Sequence, residues 1–491
     1  MEKFILAIDQ GTTGSTVALV DQKAQMRRSV NIEHPQIYPK AGWVEHDPEA
    51  IWKTVVDGIG RCLKENSVSS SQLVGVGITN QRETVVLWDA ETGKPLHNAI
   101  VWQCRRTTDY CNRLKKDKAK VKAIKSKTGL VIDPYFSASK IRWLLDHVKG
   151  HSSSLKVGTI DSFLIWRLSG GKSHVTDVSN ASRTQLMNIQ TGGWDGELLK
   201  IFGIKSFILP EIVPSSGEMA VTKGIPGLPD GLPIAGVAGD QQAALFGQAC
   251  FKSGMSKCTF GTGSFLLMNT GTQRVASKSG LLTTVAWQLK GDKKLTYALE
   301  GGAFICGAAV QWLRDEMKFI SKASEVEELA AQVSSTDGVY LVPAFVGLGA
   351  PYWKPEARAA IVGMTRGTNR AHLARATLEA MTLQNVDILL AMQKDLKKKL
   401  NVVRVDGGAV RNNLLMQMQA DFLGSRVERP AQTESTVLGA AYLAGLGVGF
   451  WSSLGEIEKI WKLDRGFAPA ITSKARQAKW GEWSCAVKRV I

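Results

Sequence analysis

The chain has little with which to crosslink itself. Its seven cysteines, at 62, 104, 111, 250, 258, 306 and 485, form no CxxC pair, and its seven histidines form no HExxH or Cys/His cluster. A disulfide framework and a zinc site are therefore not expected, and the thiols read as reduced. No apolar run reaches the roughly 18 to 20 residues that span a bilayer. The nearest, GAAYLAGLGVGFW at 439–451, is short and glycine-rich. The opening MEKFILAIDQGTTGS has only a brief apolar stretch before Asp9 and no small-residue cleavage site, so it reads as a first strand. A cytoplasmic location without stable membrane insertion is the expectation. Neither GxxxxGK[ST] nor GxGxxG occurs, which argues against P-loop NTPases, protein kinases and Rossmann dehydrogenases. Acidic residues are also in deficit, 44 against 61 Lys and Arg, for a net charge of +17. Such a balance raises the question of nucleic acid. The basic runs KKDKAKVKAIKSK at 115–127 and KDLKKKL at 394–400 lack interleaved aromatics, however, and read as solvated helix faces. No nucleic-acid partner is expected.

What is present begins with length. At 491 residues, with 44% hydrophobic and 21% charged residues, the chain is globular and long enough for two or more cores. Three glycine-containing turns each end an apolar run: AIDQGTTGST at 7–16, CTFGTGSF at 258–265 and RVDGGAV at 404–410. A strand that stops at Asp or Gly and enters such a turn exposes N–H groups and hydroxyls suited to phosphate oxygens. Three of them, with GDQQ at 239–242 between the first and second, point to an ATP cleft between two similar halves. The first half opens with a hairpin pattern, FILAID, QGTTGS, TVALVD. A helix starts near Asp47, with Pro48 in its first turn, and the strand VGVGIT follows at 74–79. Alternating strands and helices make the class α/β. The pattern restarts after residue 248, so domains of 1–248 and 249–491 are expected.

Two acids stand at strand ends. Asp9 precedes Gln10–Thr13, where it can organise a hydrated metal ion or cap a turn. Asp240 precedes QQAALFGQ and has a helix N-cap as its plain structural role. Phosphoryl transfer needs a metal-organised polyphosphate and an acceptor hydroxyl held in line near a carboxylate, tasks these two could divide. An ordinary carboxylate is a weak base toward an alcohol, so the second acid would orient the hydroxyl and take its proton late. NQRET at 80–84 follows the VGVGIT strand, bringing Arg82 and Glu83 to the sheet edge where α/β folds place ligands. Exposed, the pair contributes about 0 to 1 kcal/mol. In a cleft, each charge-assisted bond to a hydroxyl contributes about 1.5 to 3 kcal/mol. Trp102 and Tyr135 can cover a carbon backbone, or belong to the core.

These segments, together with YPKAGWVEHDP, NAIVWQCRR, TGLVIDPYFSASK, DVSNASRT, ALEGGAF, QWLRDE, VPAFVGLGAPYW and LGAAYLAG, resemble the glycerol branch of the FGGY carbohydrate kinase family over nearly the whole chain. The resemblance implies an actin-like α/β fold, two RNase H-like domains closing over ATP and glycerol, with Mg2+ at the polyphosphate. By position, Asp240 matches the family's catalytic base, and Asp9 and Asp240 are the residues expected at the metal. Arg82, Glu83, Tyr135, Asp240 and Gln241 match the glycerol contacts, with Trp102 and Phe265 as apolar walls. Thr12, Thr13, Gly14, Thr262, Gly307, Gln311, Gly408 and Asn412 fall at the nucleotide positions. A homodimer or homotetramer is the expected assembly. Where the family carries Ser, Ser, Arg after its paired threonines, this chain has Gly14, Ser15 and Thr16, without the phosphate-facing cation, and Lys354 stands where an acid is usual. Two alternatives stay open: a kinase for a longer polyol or sugar, and a nucleotide switch indifferent to polyols.

Overall fold

The computed structural model describes residues 2–148 and 154–491. Strand Phe4–Gln10 pairs antiparallel with Gly14–Val20, from Ile5 opposite Val20 to Gln10 opposite Ser15. The hairpin turn is tighter than the sequence pattern implies, only residues 11–13, closed by the Gly11 N–H donating to the Gly14 carbonyl at 2.8 Å. Phe4–Gln10 also runs parallel to Leu73–Asn80, which runs parallel to Pro233–Gly239. These three form the middle of a six-stranded sheet and are almost wholly buried. Parallel strands covered on both faces need continuous apolar runs, and FILAI, VGVGI and IAGVA supply them. All three end at the same edge, so residues 11–13, 81–83 and 240 emerge side by side. Helix Pro48–Glu65 covers one face of this sheet, with Asp47 as its cap accepting from the Glu49 N–H.

The second sheet has seven strands, in spatial order Leu282–Trp287, Thr296–Ala303, Ser264–Gly271, Ser256–Phe260, Val402–Asp406, Arg426–Pro430 and Leu463–Phe467. Its Ser256–Phe260 and Ser264–Gly271 pair is antiparallel around a three-residue turn, and Ser256–Phe260 runs parallel to Val402–Asp406. This is the arrangement at the start of the first sheet, so the echo between the Gly-Thr turns is a repeated strand-turn-strand unit. A smaller four-stranded sheet carries Glu45–His46, Ala99–Ile100, Val85–Asp89 and Leu155–Thr159.

Two helices join the large sheets. Asp240–Gly247 packs on Ser435–Gly447, and the latter, though late in the chain, lies against the three parallel strands of the first sheet. Glycine makes this possible: a Cβ on Gly439 would sit 1.8 Å from the Ala243 carbonyl oxygen, and one on Gly247 would sit 1.9 Å from that of Ser435. The 439–445 part of the apolar run is thus buried packing surface. No helix among the described residues is long and apolar enough to cross a membrane. All seven cysteines are unpaired, six of them buried. The basic run at 115–127 lies mostly on helix Lys118–Thr128 and exposes Lys118, Lys122 and Lys125.

Candidate active site

At the shared strand edge the buried Arg82 guanidinium gathers most of the expected acceptor-site residues. Its Nε lies 3.1 Å from Asp240 Oδ1, and its Nη2 donates to the Tyr135 hydroxyl at 3.3 Å. Asp240 keeps 31% of its side chain exposed against 2% for Arg82, so the acid is the reachable member of the pair. It occupies the first position of helix Asp240–Gly247 and is not the cap; Gly239 is, and Asp240 Oδ1 accepts from the Gln241 N–H at 2.7 Å. Trp102 stands edge-to-face with Tyr135 at 5.6 Å and with Phe265 at 6.5 Å between ring centroids. The Trp102 indole N–H donates to the Thr12 hydroxyl at 3.0 Å, joining the aromatic wall to the first glycine turn. Gln241 is less free, since its side-chain oxygen accepts from the buried Lys257 ammonium, which also donates to the Thr259 hydroxyl at 2.7 Å.

Buried Gln81, His34 and His46, with the half-buried Gln36, hold the back of the first turn. Gln81 Nε2 donates to Gly11 O at 3.2 Å, Gln36 Nε2 to Thr12 O at 3.0 Å, and the His34 N–H to Thr13 O at 3.1 Å. His46 bridges Gln36 and Gln81 through its two ring nitrogens. Thr12 is half-buried and Thr13 exposed, whereas Gly14 is buried and pairs with Glu33 in the next strand. A Cβ at Gly14 would lie 2.7 Å from the Ile32 carbonyl oxygen, so that strand leaves no room for the family's serine in this backbone position. Thr16 Oγ1 accepts from Asn31 Nδ2 at 2.8 Å, the place where the family's arginine would begin.

At the second turn Thr262 is exposed, and its carbonyl accepts from the Cys306 and Ala308 N–H groups at 2.8 and 3.1 Å. That contact sets the start of helix Gly307–Asp315 against the turn, with the exposed Gln311 one helical turn further on. Gly408 lines a cleft of about 320 Å3 with Asp406, Arg411 and Glu434, a size at the lower end for small-ligand sites. Asn412 stands beside it and spends its side-chain oxygen capping helix Asn413–Leu423.

Asp9 lies half-buried where these parts meet. Burial, then the charges of Asp240 and Glu434, push its carboxyl up to about 8. Crowded hard oxygens of one sign are a setting that a small dication relieves. No group of three or more Cys, His, Asp or Glu residues forms a metal cage among the described residues. The donor set therefore fits an ion such as Mg2+ that keeps water and phosphate in its shell, and does not fit one that needs an all-protein cage.

Further charged residues stand here without a role expected from the sequence: Arg183, whose Nε donates to Glu83 Oε1 at 2.6 Å, Glu300, which accepts from Arg82 Nη1 at 2.7 Å, and Lys257, Asp406, Arg411 and Glu434. A signal existed for Glu300 and Lys257. Glu300 interrupts the apolar strand TYALEGGA and Lys257 the strand SKCTF, and a charge inside a buried strand requires a partner.

Residues 4–247 match the N-terminal domain of the FGGY family of carbohydrate kinases, and residues 256–448 match its C-terminal domain. The chain is 59% identical over 495 residues to glycerol kinase of Bdellovibrio bacteriovorus, with all of both chains covered. It is 54% identical over 497 residues to glycerol kinase of Caldanaerobacter subterraneus, covering 100% of this chain and 99% of that one. Among solved structures it is similar to Plasmodium falciparum glycerol kinase with ADP, at a TM-score of 0.93 and 39% identity over 100% of this chain and 98% of the other.

Proposed function

The chain belongs to the FGGY family of carbohydrate kinases, and on that premise we propose that it transfers the γ-phosphoryl group of ATP to glycerol, giving ADP and sn-glycerol 3-phosphate. The curated relatives at 54–59% identity are glycerol kinases, and the similar solved structure holds ADP. The observation that carries the reading is the Arg82 guanidinium, which touches both Asp240 and Tyr135 beside the Trp102 and Phe265 walls. Polar groups converging next to an apolar wall suit a short polyol with carbon on one side and hydroxyls on the other.

In this reading Arg82, Glu83, Tyr135 and Gln241 bond the hydroxyls of glycerol, while Trp102 and Phe265 cover its carbons and exclude water. Asp240 orients the acceptor hydroxyl and takes its proton late in transfer. Thr12 and Thr13 of the first turn, Gly14 just after it and Thr262 of the second turn hold the polyphosphate. Gly307, Gln311, Gly408 and Asn412 hold the rest of the nucleotide. Asp9 and Asp240 would hold Mg2+, which when bound neutralises charge on the phosphate oxygens. Most of the acceleration then comes from position and electrostatics, as phosphoryl transfer requires. The enzyme would work in the cytoplasm at the entry to glycerol catabolism, as a homodimer or homotetramer, which sedimentation velocity tests.

The deciding experiment measures ADP release from Mg·ATP with no acceptor, glycerol, erythritol or xylulose, and identifies the phosphorylated product. Glycerol-dependent ADP with matching glycerol 3-phosphate is expected. Preference for a longer acceptor, or turnover indifferent to any polyol, would overturn the proposal.

A further inference from the structure

We propose that Arg183 and Glu300 are positioning residues of the polyol site: they hold Arg82 and Glu83 in place and tie that placement to the second sheet. The inference rests on the polyol reading of Arg82 and Glu83 given above.

Glu83 has a backbone φ of +60°, a conformation that a bulky residue adopts only when its surroundings impose it. Two contacts do so. Ser137 Oγ donates to the Glu83 carbonyl at 3.2 Å, and Arg183 Nε donates to its Oε1 at 2.6 Å. Arg183 Nη2 then donates to Glu300 Oε1 at 3.1 Å. The same Glu300 carboxylate receives Arg82 through two bonds, Nη1 to Oε2 at 2.7 Å and Nη2 to Oε1 at 2.9 Å. Arg82 thus has Glu300 as an opposite partner besides Asp240, Glu83 has Arg183, and Glu300 and Arg183 are bonded to each other.

The four side chains, two arginines and two glutamates, are each no more than 3% exposed, and Arg82 also reaches the more open Asp240. Burial would raise the Glu300 carboxyl, but Arg183 and Arg82 together hold it down to about 2. Buried ion pairs gain little over packed apolar groups, yet removing one partner leaves a costly buried charge, so a cluster like this fixes geometry more than it adds stability. Arg183 also stands 5.7 Å from the Tyr135 ring and 5.3 Å from that of Phe136, and its Nη1 has no hydrogen-bond partner among the described residues. Tyr135 and Glu83, two of the groups read as bonding the polyol hydroxyls, are therefore both contacted by one side chain.

The second half of the proposal follows from where these residues sit. Arg82 and Glu83 follow a strand of the first sheet, whereas Glu300 lies within Thr296–Ala303 of the second, 218 positions from Arg82. Gln242 adds a parallel link, accepting from Arg82 Nη1 at 3.3 Å and donating to the Val285 carbonyl at 3.2 Å. The polyol-binding charges hold their geometry only while the two sheets keep their apposition.

The test uses the full chain with Glu300→Gln, Glu300→Asp and Arg183→Lys, checked for folding by thermal melts. Glycerol is varied at saturating Mg·ATP, and Mg·ATP at saturating glycerol. Loss of a charged bond predicts a rise of about 10-fold or more in KM for glycerol for Glu300→Gln and Arg183→Lys, with KM for ATP within about twofold. Glu300→Asp, which keeps the charge, should recover part of the loss. Folded variants with KM for glycerol unchanged, or with both KM values raised alike, would overturn the inference. A measurement on the unaltered protein does not depend on variants folding. Glycerol alone should slow hydrogen exchange at 296–303 as well as at 80–84, and protection confined to the first sheet would overturn the link between sheets. Absence of glycerol-dependent turnover in the unaltered protein would overturn the polyol reading and this inference with it. Normal turnover with indifferent variants would overturn this inference alone.

Discussion

Replacing Gly439 by alanine tests how the fold holds the Asp240 carboxylate. The new Cβ would lie 1.8 Å from the Ala243 carbonyl oxygen and 2.5 Å from its carbon, about 1.6 Å short of ordinary van der Waals contact. The obstacle is backbone, so no rotamer relieves it. Nor can helix Ser435–Gly447 retreat toward the first sheet. There, Cβ positions on Gly77 and Gly236 would already fall 2.2 Å from the Ala440 carbonyl oxygen and the Ala444 nitrogen. The helix that must give way is Asp240–Gly247, and Ala243 is one turn from its reacting end. Overpacking of this kind costs about 1–3 kcal/mol of stability. A displacement of about 1 Å at a reacting group costs on the order of 100-fold in rate. We therefore expect Gly439→Ala to lower the urea unfolding midpoint at constant slope and to cut kcat by about 100-fold. The control is Gly481→Ala in helix Ser473–Lys488, where nothing lies within 4 Å of the added methyl. It should stabilise by about 0.5–1 kcal/mol and leave kcat alone. If Gly439→Ala keeps kcat within about twofold and leaves the midpoint unmoved, the account of this helix pair is wrong.

Asp240→Asn should retain nucleotide binding by calorimetry while losing about 100- to 10,000-fold in kcat, and normal turnover would remove Asp240 from the proton-accepting role. Trp102→Phe keeps the wall but deletes the N–H bonded to Thr12. KM for ATP should rise about 2- to 12-fold, the range for one hydrogen bond, and an unchanged value would mean the contact does not order the first turn. Burial, then the charge of His34, push His46 down to about 3, so between pH 6.5 and 3 the unfolded chain binds a proton that the folded one refuses. Its contribution is complete above 6.5 and falls by about 1.4 kcal/mol for each unit the pH drops. The stability difference between the unaltered protein and His46→Gln should shrink by about 1.2 kcal/mol from pH 6 to pH 5, where the unfolded ring is already part-protonated at the start, and parallel profiles would refute it.

Local signals in the sequence determined much of this protein. The apolar runs at 4–9 and 74–79 read as strands, and the apolar run before Asp240 joins them in one sheet buried on both faces. Asp47 followed by Pro48 reads as a helix start because the cap accepts the first N–H groups and proline loses none that would be bonded. Arg82, Tyr135, Trp102 and Asp240 were legible because strand ends and short motifs carried them, Phe265 joined them only through the family resemblance, and the structure brings all five together. Tertiary structure alone decided the rest. It set Glu300 on Arg82 across 218 positions and Glu434 beside Asp9, juxtapositions that no local pattern encodes. It also decided what the glycine-rich run at 439–451 is for, since a helix that packs backbone to backbone and one that merely lacks side chains have the same sequence. The physical reason is range. Capping, alternation and turn chemistry act within a few residues, whereas a buried charge finds its partner only after the sheets have met.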